Sequence, residues 1–221
     1  MSDKDQQAFL ADVQHHQMTV LRDDGLYRHL RFGRPGSSDM HFAVVTYPGG
    51  LLYTGDMGTF AFERRPDMFE FFRTTGGGIN PTYWSSKLTA ADSNGRQTVK
   101  EFSEETFERA IKLEVLDWVR QNKFRTTKEQ RRELWDEVIC LVIEADGDEG
   151  GHRKQIAAHD FAHTVKTGLS FSFDLMDEDF TKHTHRFIWC CYALVWGIAK
   201  YDEMKAQEKA SAPAVVEGGE A

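Results

Sequence analysis

Residues 40–64 read Met40-His-Phe-Ala-Val-Val-Thr-Tyr-Pro-Gly-Gly-Leu-Leu-Tyr-Thr-Gly-Asp-Met-Gly-Thr-Phe-Ala-Phe-Glu-Arg64. Three runs rich in β-branched and aromatic residues are separated by Pro48-Gly49-Gly50 and by Gly55-Asp-Met-Gly58, short connections that tolerate positive φ and close hairpins. The spacing predicts strands at Met40–Tyr47, Leu51–Thr54 and Thr59–Arg64. The first is nearly all apolar, which predicts a central strand covered on both faces. Upstream, Met18–Arg22 and Leu26–Phe32 flank Asp24-Gly25 and add two strands. Five short strands joined by tight turns make an antiparallel meander.

Outside this block the pattern turns helical. Ser2–Gln17 reads as a short amphipathic helix with Ser2 as its cap and Phe9, Leu10 and Val13 on one side. Pro66 suits the first position of a helix carrying Met68, Phe69, Phe71 and Phe72. A loop is expected from there to about Lys100. Ser103 is an N-cap between Phe102 and Phe107, a hydrophobic staple, and its helix runs to about Asn122. Thr127 to Gln130 matches a capping box for a helix ending near Gly147, and another is expected over His152–Thr167. A last helix over Thr181–Lys205 contains Phe187–Ala199, thirteen residues without a charge. That is short of the ~20 needed to span a bilayer, so it reads as a buried central helix, with Ala193 and Gly197 admitting a neighbouring helix. The fold class is therefore α+β: a β-rich part over 1–100 with a leading helix, an acidic helical part over 101–205 sharing its core, and a disordered tail over 206–221.

The chain has 221 residues, with 27 Lys and Arg against 35 Asp and Glu, a net charge of −8. Residues 101–180 hold 19 acids and 11 bases, so that segment alone carries a net −8 while the flanks are neutral. This balance argues against binding bulk nucleic acid by charge alone. Three cysteines, Cys140, Cys190 and Cys191, read as reduced thiols rather than a disulfide framework. The opening MSDKDQQAFL has no apolar signal core. The expected location is the cytoplasm.

Several groups carry side chains suited to chemistry. On a helix, His152, His159 and His163 fall within about 40° of one another, opposite Ala157, Phe161 and Val165, so they face solvent or a cleft. His159 and His163 could share a metal, since His159-Asp-Phe-Ala-His163 is one letter from the zincin pattern, with a third ligand from Asp174, Asp177, Asp179, His183 or His185. An exposed histidine pair without metal is the simpler reading, because the glutamate is missing. His159-Asp160 is also similar to the doublet of helical metal-dependent phosphohydrolases, but their upstream histidine on a separate helix is lacking. The acidic runs at Asp146–Glu149 and Asp174–Asp179 do not fit an EF-hand; Asp177 and Asp179 are expected to cap the last helix. Asp56 is expected to serve its own turn. No phosphate-binding loop, nucleophile elbow or dinucleotide fingerprint occurs. No cofactor is implied.

Arg22, Arg28, Arg31 and Arg34 lie among Tyr27, His29 and Phe32 on the first two strands, a mix that can bind single-stranded nucleic acid by stacking and phosphate contact. Arg28 and Arg31 point to opposite faces, however, and edge arginines also deter aggregation.

Longer strings carry a resemblance: Met18–Gly25, Tyr27–Phe32, Met40–Phe42, Leu51–Phe62, Asp67–Arg73, Asn80–Trp84 and Arg186–Tyr192. Over roughly 18–202 the chain resembles a group of uncharacterised proteins encoded by phages and prophages of Gram-negative bacteria. The resemblance implies a genomic setting in which accessory genes often blunt host defences such as CRISPR or restriction systems, and it transfers no catalytic residue. The leading expectation is a non-enzymatic binding protein that inhibits a host defence complex, a protein or ribonucleoprotein. Glu104, Glu105, Glu108, Asp136, Glu137, Glu144, Asp146, Asp148 and Glu149 would present the negative surface. The alternatives are a metal-dependent hydrolase at His159 and His163 and a nucleic-acid module on the sheet arginines.

Overall fold

A computed structural model describes residues 3–92, 99–147, 151–175 and 177–211. The chain forms two compact units: residues 1–99 with 183–221, and Lys100–Lys182. The architecture is α+β.

The first unit is built on the expected meander. Strands β1 (Gln17–Asp24), β2 (Tyr27–Gly33), β3 (Phe42–Tyr47), β4 (Gly50–Gly55) and β5 (Gly58–Glu63) pair antiparallel in sequence order. A sixth, β6 (Leu88–Ala91), joins β5 within the stretch expected to be loop. Leu30, Phe32, Phe42, Val44, Leu51, Tyr53, Phe60 and Phe62 bury one face. The expectation that β3 is covered on both faces is corrected. Phe42, Val44 and Thr46 are buried, whereas Ala43 and Val45 are half-buried and Tyr47 is exposed. Cross-strand neighbours shield Val45, which stands between His29 and Leu52.

The buried face is closed by α1 (Asp3–Val13), α2 (Met68–Phe72), α3 (Pro81–Ser85) and α7 (His185–Ser211). The uncharged run of α7 is buried as expected, and among the described residues no helix is long and apolar enough to cross a membrane. Gly197 admits the sheet rather than a helix: a Cβ there would lie 3.0 Å from the Phe32 ring. The last helix thus belongs with the strands, not with residues 101–182. It starts at His185, not Thr181, because the Thr184 hydroxyl accepts the Phe187 N–H at 3.2 Å. Asp177 and Asp179 therefore do not cap it. Its helix continues through 206–211, where Ala, Gln, Glu and Lys are good helix formers; residues 212–221 and Ser2 lie outside the described residues.

The second unit has its own core, so the expectation of one shared core is corrected. It contains β7 (Lys100–Phe102), α4 (Glu104–Gln121), α5 (Lys128–Val138) followed by a π-turn over Ile139–Ile143, α6 (His152–Asp160), the hairpin β8 (Ala162–Thr164) and β9 (Ser170–Ser172), and β10 (Thr181–His183), which pairs with β7 at the chain's entry and exit. Ser103 and Thr127 cap α4 and α5, the latter with the full capping box. The expected helix over 152–167 stops at Asp160. Phe161, His163 and Val165 are buried at alternate positions, a strand's period, and Gly168 turns the hairpin at φ +81°.

Candidate functional site

Helices α4 and α5 form an antiparallel hairpin around Phe107, Ile111, Val115, Leu134, Val138 and Val142. At the base of the hairpin the Ser103 N–H donates to the Phe180 carbonyl at 2.7 Å, and the Phe107 ring meets Phe180 edge-on with centroids 5.2 Å apart. Helix α6 enters through Gly151 at φ +65°, flush against the Phe102 ring, where any Cβ would fall 2.5 Å from ring carbons. Lys154 on its inner side is buried. Its ammonium group contacts the Glu104 carboxylate and donates to the Ile143 carbonyl at 2.8 Å. One cation therefore ties the starts of α4 and α6 to the end of the π-turn.

This arrangement sorts the expected acidic surface. Glu104 and Glu105 open α4, and Glu144 and Asp146 follow the carbonyl that Lys154 holds, so these four share the base of the hairpin. Glu108 pairs with Lys112 at 2.6 Å, Asp136 with Arg132 at 3.7 Å, and Glu137 with His163 at 2.8 Å. Asp148 and Glu149 lie outside the described residues.

The other side of α6, whose histidines are expected to face solvent or a cleft, borders a cleft. His152, Gln155, Ile156 and His159 line a cleft of about 620 Å³ with Ser172, Phe173, Leu175, Glu178 and Phe180. Its floor is apolar, and Ile156 is 58% exposed in it. Carboxylates gather along 174–179. Glu114 is pushed up by burial and by the charges of Asp174 and Glu178, although its carboxylate accepts the Asp174 N–H. Asp179 is held at about 2 by hydrogen bonds from Lys100 and Thr181. The cleft joins the acidic base through Phe180 and Ser103. Sequence reasoning placed His152 and His159 on one outward stripe facing solvent or a cleft; the opposite wall, some 20 residues on, carried no local signal of facing them.

The helical spacing behind the metal reading is not kept. His159 sits in the last turn of α6, 81% exposed, with Nδ1 3.0 Å from Asp160. His163 lies on β8 with its side chain 8% exposed and Nδ1 2.8 Å from Glu137. A helix that ends between them removes the i, i+4 relation. Among the described residues, no three or more His, Cys, Asp or Glu side chains are placed to hold an ion.

The arginine patch is also broken up. Arg28 is buried and gives both prongs to Asp67. Arg22 pairs with Asp24 at 3.1 Å and lies over the Tyr27 ring. Arg31 and Arg34 remain exposed and line a shallow pocket with His41. Asp56 does not turn its carboxylate on its own loop as expected: its N–H donates to the His41 carbonyl, and its carboxylate lies 3.0 Å from the His41 imidazole. Cys190 and Cys191 are buried, and burial pushes both thiols up.

No family model, curated protein or solved structure matches the chain. The reading of the site rests on its own geometry.

Proposed function

We propose that the protein is a non-enzymatic binding protein whose second unit recognises a cationic, nucleic-acid-binding surface on a host protein or ribonucleoprotein complex, and that it inhibits a defence system by occupying that surface. The observation that carries this reading is the composite end of the second unit. An apolar cleft with Ile156, Phe173, Leu175 and Phe180 is lined by Glu178, and Phe180 links it through Ser103 to the base of the hairpin, where Glu105 and Glu144 stand. Protein interfaces combine these two parts, a desolvated apolar anchor and a charged rim that steers encounter and fixes register. The phage resemblance supplies the setting in which such an inhibitor would act.

The test is a pull-down of tagged protein from infected host lysate at low and high salt, beside a variant carrying Glu105→Lys, Glu144→Lys and Glu178→Lys. A defined defence complex retained by the native chain at low salt, released at high salt and lost by the variant supports the proposal. Retention of the same complex by both proteins, at every salt, overturns it.

A further inference from the structure

The far end of the same hairpin has the opposite character. Residues 120–132 read Arg-Gln-Asn-Lys-Phe-Arg-Thr-Thr-Lys-Glu-Gln-Arg-Arg, six cations against one acid, within the chain's most acidic segment. Arg120 pairs with Asp117 and Arg132 faces Asp136. Arg131 is spent on the turn, donating to the Lys123 and Thr126 carbonyls at 3.1 and 2.6 Å. Lys123, Arg125 and Lys128 have no ion-pair partner among the described residues. Between the first two stands Phe124, 98% exposed.

That exposure is not looseness of the backbone. The Asn122 side chain donates to the Trp118 carbonyl, the Arg125 N–H and the Thr126 hydroxyl both donate to the Asn122 carbonyl, and the capping box at Thr127 and Gln130 fixes the start of α5. An over-determined turn thus holds an aromatic ring in water, flanked in the chain by Lys123 and Arg125, with Lys128 four residues on. A bare phenylalanine contributes nothing to this fold, and an exposed ring beside unpaired cations is the pairing with which single strands are bound, the ring stacking on a base and the cations meeting phosphates.

We infer that the α4–α5 turn binds single-stranded nucleic acid, with Phe124 stacking on an unpaired base and Lys123, Arg125 and Lys128 taking the flanking phosphates. A polyanion that also presents a flat π-surface at every residue matches both features at once. An anionic membrane matches less well. Phe124 is the one large apolar side chain of the tip, its neighbours Gln121, Asn122, Thr126 and Thr127 are polar, and even a whole acyl chain anchors only marginally. The acidic base does not cancel the attraction. Helix α4 spans 18 residues, about 27 Å, several times the ~8 Å screening length at physiological salt.

The experiment is fluorescence anisotropy with a labelled oligothymidylate of about 15 nucleotides, using the full chain, with phosphatidylserine vesicles as a parallel probe. Binding is expected to weaken with salt at a log–log slope near −2, as about three phosphate contacts require. Phe124→Ala is expected to weaken binding about tenfold with that slope unchanged. Replacing Lys123, Arg125 and Lys128 by Gln should flatten the slope. Phe124 contacts nothing, so an unchanged melting temperature separates lost binding from lost folding. Absence of binding at low salt, equal affinity of Phe124→Ala, or vesicle binding without oligonucleotide binding would each overturn the inference.

Discussion

Arg28 and Asp67 form a two-pronged ion pair, 2.9 and 3.0 Å, with the guanidinium stacked 4.5 Å from the Phe69 ring centroid. The Asp67 carboxylate also accepts the Phe69 N–H, so one side chain caps α2 and neutralises a buried cation on β2. Burial alone would raise this carboxyl, but the hydrogen bonds from Arg28 and Phe69 and the Arg28 charge hold it below its usual range. A carboxyl depressed in the folded state stabilises above its unfolded value of about 3.9, and that stability is lost as pH falls through the lower folded value. Asp67→Asn is expected to cost about 3 kcal/mol near neutral pH, because it leaves Arg28 buried and unpaired. Urea unfolding of both proteins should show the gap closing below roughly pH 4. A gap that persists in acid would mean that the carboxylate's charge is not its contribution.

A second lock holds the end of α7. The Tyr201 hydroxyl donates to Asp23 at 2.7 Å and Lys205 donates to the other oxygen at 3.1 Å, tying the helix to the β1–β2 hairpin. Tyr201→Phe removes a hydrogen bond to a charged acceptor and should cost about 1–2 kcal/mol. Asp23→Asn alone and combined with Tyr201→Phe should show a coupling above about 0.5 kcal/mol in a double-mutant cycle. Additive losses would show that the contact contributes nothing to stability.

What the sequence made legible was local. Runs of β-branched and aromatic residues over 40–64, punctuated by glycine turns, specified the meander, and Ser103, Thr127 and Gln130 marked two helix starts because a cap and its partner lie within one turn. What it hid depends on distance. Arg28 looked like a surface charge because Asp67 is 39 residues away. Nothing local marks Lys154 as a buried tie, because its partner Glu104 stands 50 residues before it. The hairpin over 162–172 was written in period two at Phe161, His163 and Val165, but the preceding helical spacing of the histidines masked it. The basic turn disappeared in a segment-wide sum of −8, which averaged opposite ends of one hairpin.

Gly197 tests how closely α7 lies on the sheet. A Cβ there would meet the buried Phe32 ring at 3.0 and 3.2 Å, and that ring is itself stacked on Phe42 with centroids 4.6 Å apart. A ring fixed on both sides has little room to yield. Gly197→Val is expected to destabilise by about 2 kcal/mol through overpacking, with Gly197→Ala costing less despite its better helix propensity. Thermal unfolding of the three proteins reads this order directly. Stabilisation by Gly197→Ala would mean that helix propensity outweighs the contact.

The two histidines once paired by spacing should now behave as strangers. His163 is buried with Nδ1 against Glu137, and no described group meets its Nε2. Removing Glu137 strands the other nitrogen as well, so Glu137→Ala is expected to cost about 1–3 kcal/mol, the penalty of an unsatisfied buried polar group. His159→Ala touches an exposed side chain and should stay within about 0.5 kcal/mol of the native chain. A shared functional metal would reverse this symmetry: zinc would raise the melting temperature of the native chain, and either histidine variant would abolish the shift. The structure predicts no such common dependence, and a melting series with and without added zinc on the native chain, His159→Ala and His163→Ala decides it.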